Sequence, residues 1–188
     1  MAHDILGLEN GLVVLARSNS GWSATFRSEA SDLNSVMKGR VSGIEHVGST
    51  SIPGIRAKPI LDIMVGVLNL TDGIELGPVL AEFNYELRPN AGLPGEHVFT
   101  KGTPRTHLLH MVEYDGEVWQ QKLAFRDALR EDTDLALAYE KLKVELSLKY
   151  AADRGAYTDG KTEFVRGVVH SRLGGAKFHT RGGEARST

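Results

Sequence analysis

The chain has 188 residues, of which 41% are hydrophobic and 24% charged. That balance excludes a wholly disordered protein and supports one domain with a substantial core rather than two. Cysteine is absent, which excludes disulfides, thiolate catalysis and cysteine-ligated metal centres. No run approaches the roughly 20 apolar residues of a membrane helix, and MAHDILGLENG lacks a basic start followed by an apolar block. The expectation is a cytoplasmic protein. A net charge of −2, more negative still without the basic tail, argues against coating DNA or RNA and leaves small anionic ligands open.

Leu12–Leu15 is a short apolar run, read as a strand or a packed extension. Trp22, Phe26, Ala30, Leu33 and Met37 recur at helical spacing, one face of an amphipathic helix with Ser20 or Asn19 as its N-cap. Ile44–Val47 reads as a strand and Gly48–Gly54 as a small-residue loop. Pro59–Val67 is an apolar run broken by a single carboxylate, Asp62, the pattern of a central strand covered on both faces. A helix is expected over Leu76–Phe83 and a loop over Arg88–Gly95. His97–Lys101 and Arg105–Tyr114 read as strands joined by Gly102-Thr103-Pro104. Beyond Asp115-Gly116 the pattern is helical, with stripes through Trp119–Leu129, Leu135–Leu146 and Phe164–Leu173. The Gly174–Thr188 tail has no periodicity and reads as disordered. The whole is one mixed α and β domain, residues 1–173, with its helices massed at the C-terminal end.

Two stretches are candidates for a phosphate loop. Gly155–Thr162 fits G-x-x-x-x-G-K-[ST], but it follows a charged, helical stretch rather than a buried strand, and only 26 residues remain after Thr162. It is rejected as a P-loop and expected to start a helix. Gly48-Ser49-Thr50-Ser51 sits between two strands, where glycine permits close backbone approach and amides with hydroxyls can wrap a phosphate. Asp62 lies on the next strand with Lys58 just before it, and a metal-dependent phosphate site needs such a carboxylate and cation. The competing reading is a tight turn with capping hydroxyls.

Over these residues the sequence resembles a known family. His46-Val47-Gly48-Ser49-Thr50-Ser51-Ile52-Pro53-Gly54 with Ala57-Lys58-Pro59-Ile60-Leu61-Asp62-Ile63 is similar to the signature of the GrpB family. Arg105–His110, Leu123–Asp127 and Tyr157-Thr158-Asp159 with Lys161 and Phe164 support it, and the likeness runs from about Val13 to Leu173. The resemblance implies an α+β, nucleotidyltransferase-like fold of the polymerase-β type, a mixed sheet flanked by helices. It also implies a bacterial cytoplasmic protein whose relatives occur alone or fused to dephospho-CoA kinases. The wider superfamily carries Asp-x-Asp after its Gly-Ser loop and a third carboxylate on a later strand. Here Asp62 takes the first position, but Met64 takes the second, and a thioether is no ligand for a hard cation.

Two residues could complete the site. His110 belongs to the motif block and Glu113 ends the same strand, but they lie an odd number of residues apart and face opposite ways in a regular strand. His110 ranks above Glu113. The expected set is therefore Asp62, His110 and Glu113 as catalytic residues, with Asp62 and Glu113 as magnesium ligands. Gly48, Ser49, Thr50, Ser51, Lys58, Arg126 and Lys161 would hold the ligand's phosphates. His46 reads as a packed strand-end histidine. The leading expectation is a nucleotidyltransferase-like enzyme that binds a nucleotide or other phosphorylated ligand with Mg²⁺. The alternative is a non-catalytic nucleotide or CoA-precursor binding module, which Met64 favours. A serine hydrolase at Ser49 is poorly supported, because the loop is not G-x-S-x-G.

Overall fold

The computed structural model describes residues 6–89 and 91–174. The tail expected from Gly174 onward, apart from Gly174 itself, lies outside the described residues.

The helical stripe from Trp22 becomes α1 (Gly21–Met37), with Trp22, Leu33 and Met37 buried. Asn19 starts it: its Oδ1 accepts the Gly21 N–H at 2.8 Å, which satisfies a first-turn donor. The strands follow as β1 (Gly43–Val47) and β2 (Leu61–Val67), with a single 3-10 turn at Ser49–Ser51 between them. Two short helices, α2 (Leu70–Ile74) and α3 (Gly77–Glu82), precede three strands: β3 (Tyr85–Leu87), β4 (Glu96–Lys101) and β5 (His107–Glu113). The C-terminal part is helical: α4 (Glu117–Glu131), α5 (Thr133–Lys149), α6 (Arg154–Asp159) and α7 (Thr162–Leu173). Of the expected elements, Leu12–Leu15 forms no strand. It is a packed extension, held where the Val13 N–H meets the Ala151 carbonyl at 2.8 Å. The helix expected at Leu76–Phe83 is shorter, Gly77–Glu82, and neither α2 before it nor β3 after it was anticipated.

The sheet has the order β1-β2-β5-β4-β3. β2 and β5 are parallel, and the β1–β2, β4–β5 and β3–β4 pairs are antiparallel. One face packs Ile63, Val65, Leu109 and Met111 with Leu33, Met37 and Leu80 of α1 and α3 in the main core. The opposite face meets α4, where Val47, Met64, Val112, Val118 and Trp119 form a second cluster. Gly43 and Gly66 pair in register there, and a Cβ on either would come within 2.9 Å of the Tyr114 and Trp119 rings. Two bare backbone positions thus let the aromatic pair lie directly on the sheet.

The P-loop pattern is helical, as expected. Gly155–Asp159 lie within α6, and the Gly160 and Lys161 amides donate to the Ala156 and Thr158 carbonyls at 2.9 and 3.2 Å. Those amides form no phosphate nest.

Candidate functional site

A cavity of about 380 Å³ lies between the α4-facing side of the sheet and helices α4 to α7. Strand alternation decides what enters it. Asp62 and Met64 share a face of β2, and Met64 pairs with His110 across the parallel ladder. Ser49 and Asp62 open into the same cavity, as the strand–loop–strand order predicts. Met64 does not line it; this side chain is fully buried beneath Val118 and Trp119.

His110 is held between two carboxylates. Its Nε2 lies 3.7 Å from Asp62 Oδ1 and its Nδ1 3.1 Å from Glu96 Oε2. Glu96 in turn lies 3.1 Å from Lys122 Nζ and accepts the Leu93 N–H at 2.7 Å. Burial and the Lys122 ammonium push the His110 pKa down, but the Glu96 and Asp62 carboxylates outweigh them and raise it above the usual histidine value. Burial alone would raise Asp62; His110, Lys58 and Lys122 instead hold it below the usual carboxylate range. The same opposition, burial against Lys122 and His110, leaves Glu96 well below that range. His110 thus sits in a chain running Asp62–His110–Glu96–Lys122, in which the two carboxylates favour its protonated form.

Gly48 is where the loop meets this chain. Its backbone (φ 65°, ψ −174°) is one that only glycine adopts readily, and a Cβ would fall 2.1 Å from Asp62 Oδ2. Of the loop hydroxyls expected to wrap a phosphate, Ser49 bonds the Tyr139 side chain. Thr50 Oγ1 lies 3.0 Å from His46 Nε2, and Ser51 Oγ donates to the Gly48 carbonyl at 2.7 Å. The hydroxyls hold the turn together, and Ser51 does not reach the cavity. His46 is indeed a packed strand-end histidine: it stacks on Phe26 with centroids 4.7 Å apart, and burial lowers its pKa to about 4.

The basic side of the cavity is larger than the sequence reading supposed. Six of its lining side chains are Lys or Arg and three are Asp or Glu, in a chain whose net charge is −2. Lys58 and Lys161 both lie over the Tyr157 ring, 5.1 and 4.6 Å from its centroid. Burial, with Lys161, Arg154 and Arg105 against Asp62, lowers the Lys58 pKa to about 7. Arg154 donates to the Glu9 and Leu12 carbonyls at 2.9 and 3.2 Å, while its buried Nε finds no acceptor among the described residues.

Besides Ser51, two expected site residues stand elsewhere. Arg126 is absent from the cavity wall; it is clamped to Glu45 (2.6 Å), Asp127 (2.7 Å) and the His46 carbonyl (3.2 Å), and ties α4 to β1. Glu113 is exposed at the end of β5, paired in register with Val67 at the far end of β2 from Asp62. It cannot share a metal with Asp62. Among the described residues no group of three His, Asp or Glu side chains could hold a metal ion, and the ion-pair partner of Asp62 is the His110 ring, 3.7 Å away. The donor set does not fit a two-metal site. Glu96, Lys122, Arg105 and Arg154 are the site residues that sequence reading missed; only Arg105 carried a signal, inside a motif block.

A family model described as "GrpB protein" matches residues 12–171. The chain belongs to the GrpB family. It is 36% identical over 179 residues to the glutamate-rich protein GrpB of Alkalihalophilus pseudofirmus, covering 88% of this chain and 99% of that one. Its fold is similar to the crystal structure of the conserved GrpB of Enterococcus faecalis, with a TM-score of 0.79 at 30% identity over 86% of this chain and 98% of that one. A weaker likeness, TM-score 0.47 at 14% identity over 79% of this chain and 50% of that one, is to the Cid1 poly(U) polymerase. No described helix is long and apolar enough to cross a membrane.

Proposed function

We propose that this GrpB-family chain binds a phosphorylated small molecule, a nucleotide or a CoA precursor, in the cavity between its sheet and α4 to α7. The observation that carries this reading is the cationic group on the cavity wall: Lys58, Arg105, Arg154 and Lys161 all line it. Charge-assisted bonds from such groups to phosphate oxygens are roughly twice as strong as neutral ones. The Asp62–His110–Glu96 chain faces the remainder of the ligand and can give or take a proton there.

Nucleotidyl transfer, with magnesium at Asp62, is the second reading. It is favoured by the packing of Gly48 against the Asp62 carboxylate beside the Ser49 loop. One experiment separates the two. Nucleotides, CoA precursors and their dephosphorylated counterparts are compared by thermal shift, with Mg²⁺ and with EDTA. A true ligand at a hundred times its dissociation constant adds about 2.7 kcal/mol. Stabilisation by the phosphorylated forms in EDTA, reduced in Lys161→Met, supports the binding reading. Stabilisation that requires Mg²⁺ and vanishes in Asp62→Asn supports the second. Equal stabilisation by phosphorylated and dephosphorylated forms refutes both.

A further inference from the structure

Among the lysines whose surroundings are defined, Lys58 stands apart. Lys101 pairs with Glu29 at 2.7 Å and Lys122 with Glu96 at 3.1 Å, and the buried Lys143 donates to the Arg56 carbonyl. The Lys58 amine has no ion pair or hydrogen bond among the described residues; its direct partner is the face of Tyr157. It nevertheless lines the cavity, half-buried, beside Lys161, Arg154 and Arg105, with Asp62 the carboxylate it feels. A desolvated lysine next to other cations is the environment in which an amine becomes a nucleophile.

We propose that Lys58 forms a reversible imine with phosphorylated aldehydes or ketones whose phosphate is seated among Lys161, Arg154 and Arg105. The neutral amine's lone pair attacks the carbonyl carbon, the C–N bond forms, and the carbonyl π pair moves to oxygen. The carbinolamine then loses water: both amine protons leave with the former carbonyl oxygen, so no oxidant, reductant or further reactant is needed. Hydrolysis runs the same steps backwards. With its pKa lowered to about 7 by burial and the neighbouring cations, the amine of the ligand-free protein is neutral far more of the time at neutral pH than an exposed lysine, which is almost wholly charged. The proposal rests on the phosphate-binding reading of the same cavity.

The test uses pyridoxal 5′-phosphate as the phosphorylated aldehyde, pyridoxal as the aldehyde without phosphate, and pyridoxamine 5′-phosphate as the phosphate without carbonyl. The intact protein is treated at pH 7, reduced with borohydride, and the modified lysines are located by peptide mass. Pyridoxal 5′-phosphate should mark Lys58 ahead of the exposed Lys38, Lys141 and Lys149, and faster than pyridoxal does by on the order of tenfold, because the phosphate positions the carbonyl. Lys143, whose pKa is also lowered to about 7 but which does not line the cavity, should stay unmarked. Lys58→Arg keeps the charge; it should abolish that adduct without moving it to another lysine. Labelling of Lys161 in place of Lys58, or of Lys58 no faster than the exposed lysines or no faster by pyridoxal 5′-phosphate than by pyridoxal, overturns the imine. If pyridoxamine 5′-phosphate stabilises the wild type and Lys58 is not marked, the imine alone fails. If it does not stabilise the wild type, the phosphate reading fails and takes the imine with it.

Discussion

Glu96→Gln tests whether the charge chain at the sheet is a real energetic unit. The glutamine keeps the volume and a carbonyl oxygen for the Leu93 amide, but it removes the charge that Lys122 and His110 share. The Glu96 side chain is 2% exposed, with Lys122 at 19% and His110 at 13%. Breaking a fully buried pair costs about 3–5 kcal/mol; the partial exposure of Lys122 brings this to about 2–3 kcal/mol. For a domain of this size each kcal/mol moves the melting temperature by about 2–4 °C, so a fall of about 4–12 °C is expected by circular dichroism. Adding Lys122→Met should cost less than its single effect, because the stranded ammonium is gone, with a coupling of about 1 kcal/mol or more. The pH dependence has two limbs. The depressed Glu96 pKa contributes stability that is present above the ordinary carboxylate range and lost as pH falls through the folded value. The raised His110 pKa contributes stability that is full below the ordinary histidine range and lost as pH rises through the folded value. In Glu96→Gln the His110 titration, read by NMR, should move down and the alkaline limb should flatten. A melting temperature within about 1 °C of wild type, with the His110 titration unmoved, would refute the coupling, since even a single buried charged hydrogen bond exceeds that.

Gly48→Ala must strain the backbone and displace the Asp62 carboxylate, at about 2 kcal/mol or more; a variant that keeps both wild-type stability and ligand-induced thermal shift contradicts the close approach. Met64→Asp places a second carboxylate on the Asp62 face but beneath Val118 and Trp119, so it should destabilise by about 3–5 kcal/mol. Millimolar Mg²⁺ should not restore it, and recovery of the wild-type melting temperature with the metal would show that the cavity reaches further than its lining residues indicate.

The parts of this molecule legible in the sequence are those that depend on local period and on parity. α1, β1, β2, β5 and the C-terminal helices follow from apolar spacing, and parity on β5 already favoured His110 over Glu113. Residues whose roles depend on partners far along the chain were hidden. Glu96 begins a strand just after a glycine and reads as a turn acid; its meaning comes from His110 and Lys122, brought alongside by the β4–β5 pairing and by α4. Arg126 looked like a ligand residue because it falls in a motif block, yet Glu45, 81 positions away, claims its guanidinium. Arg154 was hidden in a charged helical stretch whose only apparent message was that the P-loop pattern was false. β3 and α2 are too short to show any period.

The parallel pairing of β2 with β5 has a consequence for when the site exists at all. It joins residues 61–67 to residues 107–113, so a long stretch of chain must be organised before Asp62 and His110 can meet, and such non-local pairing forms slowly. Both strands are flanked on each side, β2 by β1 and β5, β5 by β2 and β4. Their amides should therefore be among the last to exchange, because both strands lie inside the sheet rather than at its edge. Asp62 and His110 are neighbours only through this pairing, so a chain that has not formed it does not hold the two side by side.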